Sequence, residues 1–304
     1  MSIYLPIAEM PVNALLILLL SGFVGFVSGL TGVGGGFIMT PLLIFLGIPA
    51  PVAVATQASQ ITATSVSGLF ASARRRMVDW RMGMLLTIGG VLGSTLGVSI
   101  FSSFLRLGQA DILITLLYVV FLGAIGSLML YESVTAIRTR TSTISTPFAR
   151  PARTIAHRLP FQLRFPRSGL YISVIPPLVL GFGVGVLAAI MGVGGAFVLA
   201  PAMIYLLRMP TNVVVGTSQF QVLIVAAVVT ILQATMTQQV DVLLAAFLIV
   251  GGVIGAQFGA RLGARLPAEQ LRAVLAVLVL IAGLKLLWDL VTPPSELFVL
   301  GVAR

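Results

Sequence analysis

Apolar positions along this chain run on continuously and do not alternate with polar ones. Uncharged stretches cover 10–73, 82–105, 112–131, 209–240 and 242–260. Several reach or exceed the ~20 residues that carry a helix across a hydrocarbon core. Alternation with a period of two is absent, so helices are predicted rather than a barrel. Glycine clusters break the pattern at two places. Residues 29–41 read GLTGVGGGFIMTP, and residues 189–201 read AIMGVGGAFVLAP. Glycine costs a helix interior roughly 1 kcal/mol relative to alanine, so a break built twice asks for a purpose.

The two breaks belong to a longer internal repeat. GVGGGF at 32–37 matches GVGGAF at 192–197, and ATQASQ at 55–60 resembles GTSQFQ at 216–221. Val78-Asp79 matches Val240-Asp241, and GGVLG at 89–93 matches GGVIG at 251–255. Order is kept, with offsets of 160 to 162 residues. Each half reads as five segments: about 11–30, 37–47, 50–73, 80–103 and 111–131, then about 171–190, 196–208, 212–237, 241–262 and 270–291. Three regions follow, a first membrane repeat at 1–131, a basic linker at 132–170 and a second membrane repeat at 171–304.

Composition agrees with a membrane protein. Of 304 residues, 58% are hydrophobic and 9% charged, against about 25% charged in soluble domains. Mean hydropathy is +1.12. The apolar N-terminus lacks a positive n-region and a clear cleavage site, so it reads as a first helix. Cysteine is absent and the single histidine, His157, lies in a polar loop. Thiol chemistry and a histidine metal cluster are thereby excluded, and no cofactor or metal is implied.

The net charge of +10 is concentrated. Seven arginines and one acid, Glu132, fall within 131–170. That placement reads as an orientation signal and a contact with anionic lipid, not as a nucleic-acid surface. Charge also tests orientation. RRRMVDWR at 74–81 carries four arginines, and its counterpart MTQQVD at 236–241 carries none. After the fourth segment the balance reverses, with Arg106 and Asp111 in half one against Arg261, Arg265, Glu269 and Arg272 in half two. Basic loops stay cytoplasmic. The halves are therefore expected to be inverted, as an odd segment count demands, with the 131–170 loop inside. The predicted fold is an all-α integral membrane protein of two inverted five-segment repeats, with short broken or re-entrant helices after the glycine turns. It is a multi-pass protein of the cytoplasmic (inner) membrane. A homodimer is allowed but not required.

Segment 37–47 is about 16 Å long as a helix, half of a ~30 Å hydrocarbon core. A helix start after a glycine turn presents backbone N–H groups that attract anions, at ~0.3–1 kcal/mol per helix end. The candidate glycines are Gly32, Gly34, Gly35 and Gly36, with Gly192, Gly194 and Gly195. Close helix packing through small residues is the alternative. Thr56, Gln57, Ser59 and Gln60, with Thr217, Ser218, Gln219 and Gln221, open the two third segments. They either bond between helices or converge on one oxyanion. No Lys or Arg sits at a segment centre; Arg208 and Lys285 fall near ends, and Lys285 is spaced to pair with Asp289. Asp79 and Asp241 read as helix N-caps, with proton coupling as a weaker alternative. Gly89, Gly93 and Gly97, and Gly251, Gly255 and Gly259, read as packing faces.

GLTGVGGGFIMTP followed by VAVATQASQ, and IMGVGGAFVLAP followed by VVVGTSQFQ, resemble the TauE/SafE family, the sulfite exporter family of membrane transporters. The likeness covers nearly the whole chain outside 131–170. It implies movement of a small sulfur-containing anion such as sulfite or an organosulfonate, with thiosulfate or carboxylates in some members. The motif positions carried over are Gly32, Gly34, Gly35, Thr56, Gln57 and Gln60, then Gly192, Gly194, Gly195, Thr217, Ser218 and Gln221. Where half one has a third glycine, half two has Ala196. A secondary transporter that exports such an anion is the leading expectation. An importer, an anion channel and, with least support, an intramembrane enzyme are the alternatives.

Overall fold

The computed structural model describes residues 2–31, 36–75, 77–138, 162–263 and 268–292. Gly32, Gly34, Gly35, His157 and the 139–161 part of the basic stretch lie outside the described residues. The described chain is mostly helical. A β-hairpin, β1 (Ser2–Leu5) and β2 (Met10–Asn13), leads into α1 (Ala14–Thr31) and the short α2 (Gly36–Phe45). Three long helices follow: α3 (Ala50–Arg74), α4 (Trp80–Arg106) and α5 (Ala110–Arg138). A second hairpin, β3 (Gln162–Phe165) and β4 (Leu170–Ser173), precedes α6 (Ile175–Met191), the short α7 (Ala196–Tyr205) and α8 (Thr211–Leu232). α8 ends in a π turn, Gln233–Thr237, before α9 (Val242–Gly263) and α10 (Ala268–Val291). Among the described residues, four stretches are long and apolar enough to cross a membrane: Trp80–Arg106, Ala110–Leu128, Val213–Thr237 and Val242–Leu262.

The hairpins correct the all-α expectation. Four-residue strands are too short to show a period, and the first is embedded in an apolar N-terminus. Each turns at a four-residue tip that opens with proline and closes with φ above zero, at Glu9 (+53°) and Gly169 (+65°). α1 accordingly starts at residue 14 and not at 11, where the Asn13 side chain accepts from the Leu15 amide (3.1 Å). Within the 132–170 stretch, α5 continues to Arg138 and the second hairpin begins at Gln162.

The glycine stripes are packing faces. A Cβ on Gly25 would meet the Gly252 backbone, and one on Gly185 would meet that of Gly90, with Cα atoms 2.8 and 2.9 Å away. The contacts Gly22–Gly251, Gly25–Gly252 and Gly29–Ala256 advance together, so α1 and α9 run side by side in one direction. α4 and α6 do the same through Gly89–Leu178, Gly93–Phe182 and Gly97–Val186. The first helix after each hairpin thus packs on the fourth helix of the other half.

Candidate functional site

The site is built at the start of the third helices. Prolines set these starts: Pro49 and Pro210 stand at the N-caps of α3 and α8 in extended conformation, where a missing N–H costs nothing. Within the first turns, Thr56, Gln57 and Gln60 on α3 are buried, as are Thr217, Ser218 and Gln221 on α8. The two threonines hold matching bonds. Thr56 Oγ1 accepts from the Asp241 amide (3.0 Å), and Thr217 Oγ1 accepts from the Asp79 amide (3.0 Å).

Both aspartates are N-caps, as their position predicts. Asp79 Oδ1 accepts from the Met82 amide (3.3 Å), and Asp241 Oδ1 from the Leu244 amide (3.1 Å). Their second oxygens take the hairpin tips. Asp241 Oδ2 accepts from the Ile7 amide (3.0 Å), while Asp79 Oδ2 accepts from the Ser168 amide (3.0 Å) and hydroxyl (2.7 Å). Each aspartate therefore clasps a hairpin and a third helix from the opposite half.

The two glutamines occupy equivalent positions, yet differ. Gln60 Nε2 donates to Ser21 Oγ (2.8 Å), and Ser21 donates onward to the Leu248 carbonyl (2.6 Å). That carbonyl can only accept, so Ser21 spends its single proton there and must accept from Gln60. The order fixes the amide, and Gln60 Oε1 is left buried without a partner. In half two the position matching Ser21 is Gly181, where a Cβ would run into the Leu86 backbone. Gln221 lies against Gly90 and Val225, fully buried, and neither its Nε2 nor its Oε1 has a partner.

Gln57, Gln60 and Gly36 come together around a cavity with about 10 Å³ of room, also lined by Val24, Gly25, Ser28, Ile61 and Thr64. Among the described residues, none of half two lines it. Ile61 leads instead into an apolar cluster with Ala196, Val222 and Ala226. The structure thus groups the half-one candidates but does not bring Gln221 into the same cavity.

The second glycine turn is closely packed and needs glycine for its backbone conformation. Gly192, Gly194 and Gly195 have φ of +67°, +70° and +78°, which side chains rarely adopt. A Cβ on Gly192 would also strike the Val54 backbone, and one on Gly194 would stand 2.6 Å from Ile61 Cγ2. Gly195 then caps α7. The carbonyls that α6 leaves unpaired before the turn receive side chains: Tyr118 donates to the Met191 carbonyl (2.6 Å) and Gln233 Nε2 to the Ala189 carbonyl (3.2 Å). Phe37 and Phe197, which follow the two glycine clusters, stack with centroids 4.2 Å apart at 19°. The starts of α2 and α7 therefore meet.

Sequence reasoning did not single out Ser21, Phe37, Tyr118, Phe197 or Gln233. The repeated phenylalanine and the lone glutamine in an apolar run were the signals available. Lys285 has a partner other than the one its spacing suggests, with Nζ 3.9 Å from the centroid of the Phe45 ring.

A family model described as sulfite exporter TauE/SafE matches residues 17–286. A probable membrane transporter protein of Xylella fastidiosa (strain 9a5c) is 31% identical over 76% of this chain and 78% of its own length. The probable membrane transporter protein YjnA of Bacillus subtilis is 31% identical over 89% of this chain and 98% of its own. YunE from the same bacterium, named in the same way, is 29% identical over 64% of this chain and 69% of its own length. No solved structure matches.

Proposed function

The chain belongs to the TauE/SafE sulfite exporter family and is a multi-pass membrane transporter, not an enzyme, and we propose that it carries a small anion, sulfite or an organosulfonate, out across the cytoplasmic membrane by alternating access. Gln221 is the observation that carries this reading. Leaving a buried donor or acceptor unsatisfied costs about 1–3 kcal/mol, and Gln221 leaves both unsatisfied at 0% exposure. A transporter can hold such a group in reserve for cargo, and Nε2 suits an oxyanion. Thr217 and Thr56, whose oxygens accept from aspartate amides, still carry hydroxyl protons for the same use. Ser218, Gln57 and the glycine-opened helix starts complete the proposed pathway, which holds no fixed positive charge and so releases its cargo.

In this reading 1–131 and 171–304 are inverted halves joined by a cytoplasmic linker. Arg81 Nη1 donates to the Arg164 carbonyl (3.4 Å), which supports one basic face shared by the first turn of α4 and the second hairpin. The reciprocal aspartate clasps support the symmetry.

Reconstituted protein loaded with one anion and offered another tests the assignment. Sulfite, thiosulfate, sulfoacetate, taurine, sulfate and short carboxylates form the panel. Saturable flux stimulated by counter-substrate is expected for sulfite or a sulfonate. Flux that does not saturate would make the protein a channel, and a flat panel would sink the anion-carrier reading.

A further inference from the structure

The second glycine turn joins two helix ends of opposite polarity. α6 ends at Met191 with its last carbonyls pointing into the turn, and α7 begins at Ala196 with its first amides pointing back at it. An anion drawn to those amides would meet the carbonyls as well. Two buried side chains cover two of the carbonyls, one from each half. Tyr118 reaches Met191 from α5, and Gln233 reaches Ala189 from the π turn that ends α8. Both side chains have 0% exposure.

The Gln233 amide has one workable orientation. The Ala189 carbonyl can only accept, so Nε2 faces it. Oε1 then takes the Thr237 hydroxyl at 2.7 Å. The Gln238 amide closes the turn on the Gln233 carbonyl (3.0 Å), and π turns of this kind gather at functional sites. Neither anchor is repeated. Ser72 stands where Gln233 does: its carbonyl likewise accepts from an amide five residues on, that of Met77 (3.1 Å), but its side chain is far shorter. At the repeat offsets of 160 to 162, Tyr118 is matched by Leu278, Val279 or Leu280, all apolar.

We propose that Tyr118 and Gln233 are positioning residues that decide the sign of the ion admitted at this turn. In broken-helix carriers, helix N-termini face anions while helix C-termini and unwound carbonyls hold cations. With the Ala189 and Met191 carbonyls engaged, the turn offers amides to an anion and withholds two oxygens that a cation would use. Its place suits the role. A Cβ on Gly194 would stand 3.2 Å from Val222 Cγ1, and Val222 follows Gln221, the group assigned to the cargo. The Tyr118 bond also ties the turn to the opposite half. This role rests on the anion-carrier reading.

Counterflow of sulfite and of sulfoacetate in vesicles holding the full chain tests it, read as KM and maximal rate. Tyr118→Phe removes a single oxygen, and Gln233→Met keeps the length of the side chain. Each should raise KM for the anion carried at least about threefold, because a bare carbonyl then stands beside the helix start. The effect on KM should exceed that on the maximal rate, the mark of lost binding. A lower maximal rate at unchanged KM in both variants would make the two residues structural and overturn the proposal. Parental KM and rate in both would overturn it equally, and in either case the carrier reading stands. If the parent carries neither anion, that reading fails for both cargoes and this role falls with it. If Gln233→Met does not assemble, Tyr118→Phe decides alone; if neither assembles, the bonds serve the fold and the proposal is overturned.

Discussion

Replacing Gln221 by leucine should make this protein more stable while stopping transport. The side chain has 0% exposure and two polar atoms without partners. Each unsatisfied group costs about 1–3 kcal/mol, and a leucine of similar size removes both. A gain of at least about 1 kcal/mol follows, which at roughly 2–4 °C per kcal/mol for domains of 150–250 residues raises the midpoint by about 2 °C or more. Gln60→Leu is the internal comparison. It relieves one unsatisfied oxygen but gives up the bond to Ser21, itself worth about 0.5–1.5 kcal/mol, so its midpoint should barely move. Unfolding in detergent without added anion can be followed by tryptophan fluorescence, since Trp80 sits edge-on to Phe220 at 5.0 Å. Counterflow in vesicles then measures transport. A Gln221→Leu protein destabilised by about 1 kcal/mol would mean that the amide supports the fold. Normal counterflow in that variant would refute its role in binding cargo.

Three further outcomes follow from the packing. Thr56→Val and Thr217→Val each orphan a buried aspartate amide and should cost about 1–3 kcal/mol; Thr217 bonds Asp79, just beyond the end of α3 at Arg74, and Thr56 lies about 27 Å back along that helix, so the double variant should lose the sum within about 0.5 kcal/mol, measured by thermal unfolding. Asp241→Asn keeps one acceptor oxygen where two are used, by Leu244 and Ile7, and should lose about 1–3 kcal/mol while the pH profile of flux stays unchanged; a changed profile would reinstate proton coupling. On α6, Gly183→Ala has nothing within 4 Å of the new Cβ and should gain about 0.5–1 kcal/mol, whereas Gly185→Ala drives into Gly90 and should cost about 1–3 kcal/mol; midpoints shifting in the same direction would refute the helix contact.

What could be read in the sequence was punctuated by residues with strong local meaning. Pro49, Pro210, Asp79 and Asp241 mark helix starts, and the boundaries fall within a few residues of them. The glycine stripes at every fourth position announced close helix contact without naming the partner helix. The hairpins carried no period to read. The difference between Gln60 and Gln221 was hidden because it depends on Ser21 and Gly181, residues on other helices that only packing brings alongside. Convergence of all the polar groups on one ligand was expected from symmetry alone. Ile61, Ala196, Val222 and Ala226 form an apolar cluster there instead, built from side chains that composition treats as filler.

The exchanged clasps have a consequence for biosynthesis. The Ile7 amide waits for an aspartate 234 residues downstream. At 5–20 residues per second the ribosome takes roughly 10–50 s to deliver it. Throughout that interval the glycine face of α1 has no α9 to cover it. A nascent chain arrested after α5 is therefore a half-closed object with an open seam, and the insertion machinery or a chaperone must hold that seam until the second half arrives.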